Sequence, residues 1–249
     1  MSEDSAVQPN PEPSNRQRHA GTHPNTRPKD AGILIVIRRD SDGHRLLMGR
    51  RSSRHAFMPN LVVFPGGRVD RTDYTGPSAD ELAKPVLNKL LQQTPAAMSP
   101  RRARAIALSA IRETCEETGV LLGRPATSDR PSRAGAWQPF IERSLLPSLK
   151  DLRFVARAIT PPRRNRRFDA RFFAAFSDQI AGQISIADDE LSEVQWLTFD
   201  EARATDLPMI TELILNHLQD RLARDPDLST DAGIPFHYMR HERFVCDMI

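Results

Sequence analysis

The sequence predicts an α/β sandwich built on a mixed sheet. Three observations lead there: an apolar hairpin near the start of the folded region, a well-capped helix in the middle, and a second group of strands followed by a terminal helix. Residues 1–30 are rich in Pro, Ser, Asn and charge, with only scattered Ala and Val. Such a segment cannot bury enough surface to offset its ordering entropy, so it reads as a disordered tail and the domain as residues 31–222. From Ala31, GILIVIRR reads as a strand, SDG as a turn and HRLLMGRR as the returning strand. FMPNLVVFPGG follows as a short buried strand ending in a Pro-Gly-Gly turn. Residues 78–93 read as a helix from Ser78 that Pro85 kinks or splits. A better helix is MSPRRARAIALSAIRETCEETGV, with Ser99 at its N-cap, Pro100 at its first position and Gly119 just past its end. Residues 123–150 read as loop. RFVARAIT and FDARFFAAF are two more strands around the basic loop TPPRRNRR, and SEVQWLTF is another. DEARATDLPMITELILNHLQDRLA reads as a terminal helix, with Ile210, Leu213, Ile214 and Leu218 at helical spacing. Residues 223–249 form a C-terminal extension, apolar enough to dock but without an assigned place.

Composition narrows the function. With 35 Lys plus Arg against 32 Asp plus Glu, the net charge is +3, too small for a nucleic-acid coat and suited to a small anionic ligand. No apolar run approaches the roughly 20 residues that span a bilayer, so no membrane partner is expected. Cys115 and Cys246 are the only cysteines, which excludes a disulfide framework. The chain start lacks a secretory pattern and the chain end, Asp-Met-Ile, lacks a Ser-Lys-Leu-type signal, so a cytoplasmic location is the expectation.

The chemistry concentrates in Arg112-Glu113-Thr114-Cys115-Glu116-Glu117-Thr118-Gly119-Val120. On a helix, positions three and four apart share a face, so Glu113, Glu116 and Glu117 project together. Three carboxylates this close repel, and a hard cation such as Mg²⁺ relieves them. Arg112 and Glu116 are also paired by spacing, which supports Glu116 in one rotamer. Upstream, Phe64-Pro65-Gly66-Gly67 ends an apolar strand, and its backbone can approach another group closely.

FPGG followed by REXXEEXG resembles the Nudix box, GX5EX7REUXEEXGU with U aliphatic. Gly67 opens it, Arg112 to Val120 close it, and Thr114 stands at the first aliphatic place. Between Gly67 and Arg112 lie 44 residues where the pattern has 13. Asp73 falls at the place of the GX5E glutamate, and Arg104 lies eight residues before Arg112, but neither is assigned as a ligand. A box split at about residues 71–99 resembles the branch containing the peroxisomal coenzyme A diphosphatase. The upstream pattern of coenzyme A-cleaving members, LLTXRSX3RX3GX3FPGG, is matched at Leu47, Arg51 and Ser52, with Ala56 and Asn60 where Arg and Gly belong. Phe57-Met58-Pro59 and Arg167-Phe168-Asp169 with Phe172-Phe173 are similar to that branch as well.

The resemblance implies a Nudix-type α/β/α sandwich with a helical insertion inside the box. It implies metal-assisted hydrolysis of a nucleoside diphosphate linked to another moiety, with Mg²⁺ or Mn²⁺ as cofactor. Glu113, Glu116 and Glu117 are then metal ligands, joined by the Gly66 carbonyl. The base is a helix glutamate or an acid of the loop Ala187-Asp188-Asp189-Glu190-Leu191-Ser192-Glu193, with Glu190 preferred over Glu193. Arg51, Ser52 and Arg167 are assigned to the substrate, Arg51 because a guanidinium binds phosphate bidentately. Arg163, Arg164 and Arg166 share that basic loop. Three functions remain open: cleavage of coenzyme A or acyl-CoA to 3′,5′-ADP and phosphopantetheine, cleavage of ADP-ribose or dinucleotides, and nucleotide sensing without cleavage. The apolar residues around Leu82 to Leu91 need a partner, either the same chain or the second copy of a homodimer. His237 and His241 lack a third ligand and are not assigned to a metal. Cys115 is not assigned as a nucleophile, and Trp137 and Trp196 are assigned to packing.

Overall fold

A computed structural model of the chain describes residues 23–52, 59–92, 98–127, 135–186, 190–229 and 232–249. Residues 1–22, Ala56, Phe57, Met58 and the Ala187-Asp188-Asp189 stretch, all named above, lie outside them. In chain order the strands are β1 Lys29–Asp40, β2 Gly43–Arg51, β3 Val62–Val63, β4 Gly66–Arg68, β5 Val120–Pro125, β6 Leu145–Pro147, β7 Arg153–Ile159, β8 Phe168–Phe176, β9 Ile180–Gln183, β10 Leu191–Thr198, β11 Pro235–Arg240 and β12 Arg243–Met248. The helices are α1 Lys84–Leu90, α2 Pro100–Thr118, α3 Gln138–Ile141, α4 Phe199–Arg203 and α5 Met209–Arg224.

The main sheet runs β10-β2-β1-β8-β7-β11-β12. It is mixed: β1 with β8 and β7 with β11 are parallel, the other pairs antiparallel. Alternate side chains face opposite layers, as a period of two dictates. Leu34, Val36, Phe173 and Ala175 join the core that holds α2, whereas Ile35, Ile37, Phe172 and Ala174 join the core that holds α4 and α5. The result is the expected three-layer sandwich. A smaller sheet, β6-β5-β9, extends the α2 side. No helix among the described residues is long and apolar enough to cross a membrane.

One irregularity of the main sheet matters for the site. β1 and β2 pair only through Ile37–Asp40 and Gly43–Leu46. Beyond that they part, and β3 adds to β2 at Gly49 and Arg50 while β4 adds to β1 at Ala31, Gly32 and Ile33. The Phe64-Pro65-Gly66-Gly67 turn therefore fills the opening between two central strands.

Several elements differ from expectation. β1 begins at Lys29, because Asp30 is an ion-pair centre of the sheet and not part of a tail. α1 starts at Lys84, so Ser78 to Ala83 are not helical. Pro85 lies in its first turn, where a missing N–H costs nothing, and so starts the helix instead of kinking it. Leu82 and Leu90 of the insertion are buried in this chain's own core. Residues 123–150 hold the second half of β5 and all of α3 and β6, with Trp137 and Phe140 fully buried. The terminal helix is two helices, since Pro208 stands at the N-cap of α5. The C-terminal extension is a β-hairpin that adds β11 to β7 and so enlarges the main sheet.

Candidate active site

α2 is held at both ends. Ser99 accepts from the Arg102 N–H at 3.2 Å, and Gly119 closes the helix with φ 74. One turn apart near its C-terminus, Glu113 and Glu117 face β4. There the two glycines are dictated by space. A Cβ on Gly67 would lie 2.4 Å from the Glu113 carboxyl carbon. Gly66 has φ 148 and its N–H donates to Glu117 Oε2 at 2.8 Å. A larger residue at Gly67 would push Glu113 away from the turn, and one at Gly66 would strike the Gly32 carbonyl and Ile33 of β1.

Glu190, immediately before β10, reaches the same place beside the end of β2, where the Ser52 N–H donates to its carbonyl at 3.1 Å. One carboxylate oxygen each from Glu113, Glu117 and Glu190 lies within 4.8 Å of the others. Glu193 instead takes Arg50 at 2.9 Å. Glu116 is not in the cluster. Successive helix positions turn by about 100°, which points Glu116 away from Glu117. It accepts from Arg112 Nη1 at 2.7 Å, the pair expected from spacing.

Arg112 is the hub behind the cluster. Its Nε and Nη2 donate to Asp73 at 2.8 and 3.1 Å, Nη2 donates to the Arg68 carbonyl at 3.0 Å, and Nη1 lies 2.9 Å from Glu113. Asp73 is fully buried and also accepts the Asp70 N–H at 2.7 Å. The acid at the Gly67-plus-six place thus anchors Arg112, and the insertion leaves from beyond it. Arg104 ties the insertion down through the Gly76 carbonyl, Ser78 and Glu81.

Burial raises Glu113 to about 7; Arg112 opposes the rise and Glu116 adds to it. Burial raises Glu117 to about 8, against the Gly66 N–H and with help from Glu113. Both feel Glu190. Three hard oxygen donors crowded by mutual repulsion are a donor set that fits a divalent cation. Burial also pushes the Cys115 thiol up to about 11, consistent with an inert packing residue.

The carboxylates lie at one end of a cavity of about 680 Å³. Arg51 and Gly66 line it beside them, and Ile33, Phe172, Phe168 and Ile210 supply apolar wall. Arg164 and Arg166 line it too. Arg167 is not among its lining residues: its guanidinium donates to the Thr160 carbonyl at 3.1 Å and to Asn25 at 2.7 Å, and also to the Thr26 carbonyl. Ser52 is likewise not among the lining residues, and its N–H donates to the Glu190 carbonyl. Asn60, standing where the upstream pattern has Gly, has φ 63, the left-handed conformation that Asn tolerates best after Gly. Two lining residues were missed, His237 and Phe244 of the C-terminal hairpin. His241 sits in the turn of that hairpin at φ 48, so the two histidines share no helix face.

This sandwich, with its box helix and acidic cluster against a Pro-Gly-Gly turn, defines a Nudix hydrolase domain. A crystal structure of a Nudix hydrolase from Alicyclobacillus acidocaldarius matches with 26% identity and a TM-score of 0.61, over 82% of this chain and 97% of that one. Residues 20–207 match the profile described as the NUDT19 Nudix domain, and the chain belongs to that family. It is 24% identical over 243 residues to a Xenopus laevis protein named acyl-coenzyme A diphosphatase NUDT19, covering 70% of this chain and 63% of that protein. A Caenorhabditis elegans protein named nudix hydrolase 7 is 27% identical over 173 residues, 61% of this chain and 46% of its own length. The chain spans less than two thirds of either relative.

Proposed function

We propose that this chain is a metal-dependent hydrolase that cleaves the diphosphate bond of coenzyme A or its acyl thioesters. Water adds to one phosphorus, the bridging P–O bond breaks, and 3′,5′-ADP and (acyl-)phosphopantetheine leave. The observation that carries this reading is the meeting of Glu113, Glu117 and Glu190 at one end of a long, largely apolar cavity. Mg²⁺ or Mn²⁺ held by these carboxylates, with the Gly66 carbonyl as a further ligand, supplies charge neutralisation for the diphosphate and an activated water. Glu190 or a helix glutamate takes the proton of the attacking water. Arg51 binds the diphosphate, and Arg112 keeps Glu113 and Glu116 in place. The apolar walls suit an uncharged arm beyond the diphosphate. Asn60 supports the coenzyme A reading, since its φ of 63 keeps the turn that the pattern's Gly would make.

The test is incubation with coenzyme A, with and without Mg²⁺ or Mn²⁺, and mass analysis of the products. Metal-dependent 3′,5′-ADP is the expected result, and it disappears in Glu117→Gln. Intact coenzyme A alongside cleaved ADP-ribose would favour the dinucleotide reading. No cleavage of either would favour a nucleotide sensor.

A further inference from the structure

A row of small side chains crosses the sheet on its cavity side. Arg68 of β4 is in register with Ala31 of β1, Ala31 with Ala170 of β8, Ala170 with Ala158 of β7, and Ala158 with His237 of β11. Residues directly opposite one another on a ladder project to the same face, and all five line the cavity. The three alanines leave a trough between larger neighbours such as Ile33, Phe172 and Phe168. Four inter-strand steps of about 4.8 Å make it about 19 Å long. At one end are Gly67 and the carboxylates. At the other is His237.

His237 is 4% exposed, and neither Nδ1 nor Nε2 finds a hydrogen-bond partner among the described residues. Its ring stacks on Phe244, with centroids 5.7 Å apart and planes at 17°. Nearby His217 of α5 also leaves its Nε2 unpartnered. A buried polar group without a partner is destabilising, and such groups in native folds are ordinarily satisfied. Burial, with a smaller contribution from His217, lowers His237 to about 4, so the ring is neutral and offers one donor and one acceptor.

We infer that His237 is a specificity-determining residue, hydrogen-bonding an uncharged amide on a substrate arm that runs along the alanine trough from the diphosphate. This rests on the coenzyme A reading, whose pantetheine arm carries amides and no charge. It adds that the arm is measured at its far end by the C-terminal hairpin, beyond the residues that match the family profile. A substrate with a short second moiety, such as ADP-ribose, fills the carboxylate end but does not extend along the trough.

The experiment measures kcat and KM for coenzyme A and for ADP-ribose in the wild type, His237→Leu and His237→Asn. In His237→Leu the ratio of kcat/KM for coenzyme A over ADP-ribose falls about tenfold, mainly through KM, the size of one lost hydrogen bond. The melting temperature holds or rises, because the unpaired polar group is gone. His237→Asn, which keeps a donor and an acceptor, restores part of the ratio. A ratio within about twofold of wild type in His237→Leu would overturn the inference while leaving the coenzyme A reading intact. A wild type that does not cleave coenzyme A would overturn both.

Discussion

Two groups of charged side chains flank the same central strands, and they are built on opposite plans. On the α2 side, Asp30, Arg102, Arg171, Asp169 and Arg157 alternate in sign. Asp30 lies 2.6 Å from Arg102 and 2.8 Å from Arg171, and Asp169 lies 3.1 Å from Arg171 and 2.8 Å from Arg157. The chain ends on an aromatic face, with the Arg157 guanidinium 4.2 Å from the Phe236 ring centre. At the carboxylate end of the cavity, Glu113 and Glu117 of the last turns of α2 and Glu190 share one sign. The titration of the two groups differs accordingly. Burial alone would raise Asp30, but Arg102 and Arg171 outweigh it and its pKa falls below the usual value. Burial raises Glu113 and Glu117 to about 7 and about 8, and the opposing pull of Arg112 on Glu113 and of Arg51 on Glu117 does not outweigh it. A network that neutralises itself is scaffold. A cluster that does not has the donor set that a divalent cation would complete.

The sharpest test exchanges one residue from each. Glu117→Gln removes a carboxylate from the cluster, and turnover falls on the order of 10³-fold. Its melting temperature holds or rises, because like-charge crowding is reduced. Asp30→Ala leaves Arg171, 1% exposed, with Asp169 as its remaining acid partner among these ion pairs. Thermal unfolding should show a loss of up to about 3 kcal/mol, since the buried charge loses one of its two acid partners and keeps the other. The distinction collapses if Glu117→Gln unfolds the protein or if Asp30→Ala costs only activity.

Next in size is the response to pH, where the two groups have opposite signs. Asp30 has a folded pKa below its unfolded value, so it stabilises the fold above about pH 4 and loses that contribution as pH falls further. Glu113 and Glu117 are raised from 4.5, so the folded state holds their protons longer than the unfolded chain does. Their contribution is present below about pH 4.5 and is lost as pH rises to about 8. In chelator, the melting temperature should therefore fall by roughly 5 °C or more between about pH 5 and 8. Excess Mg²⁺ or Mn²⁺, binding the folded state alone, should flatten that fall and leave the acid side unchanged. A metal-insensitive melting curve at pH 8 would mean the cluster does not take a cation.

Much of the scaffold was legible because its signals are local. The apolar runs of β1, β2, β7 and β8 read directly, as did the ends of α2 at Ser99 and Gly119. The pairing of Arg112 with Glu116 followed from four-residue spacing. What was misread depends on contacts remote in sequence. The hairpin of β11 and β12 had no place because β11 pairs with β7, nearly 80 residues earlier. Glu116 and Glu117 looked equivalent in the box, and only the positions of Gly66 and Arg112 separate them. Arg167 lies among three other arginines, and nothing in that run marks it as the one that turns to Asn25. Asp73 was in view at the right distance from Gly67, but its burial against Arg112 could not be read from spacing. His237 could be weighed only by its spacing to His241, since its place in the cavity is a register across five strands.

The smallest effect tests the same comparison within one strand. Asp169 and Ala170 are consecutive in β8, and the alternation of the strand puts one in the charge network and the other in the trough. Ala170→Leu adds three carbons to a partly buried position that borders open space. The fold has room for them, so stability should stay within about 1 kcal/mol. The trough does not, and the KM for coenzyme A should rise several-fold while that for ADP-ribose moves less. A fall in melting temperature as large as that of Asp30→Ala, with KM for coenzyme A unchanged, would make the alanine row a packing feature. The cavity side of β8 would then be scaffold like its reverse.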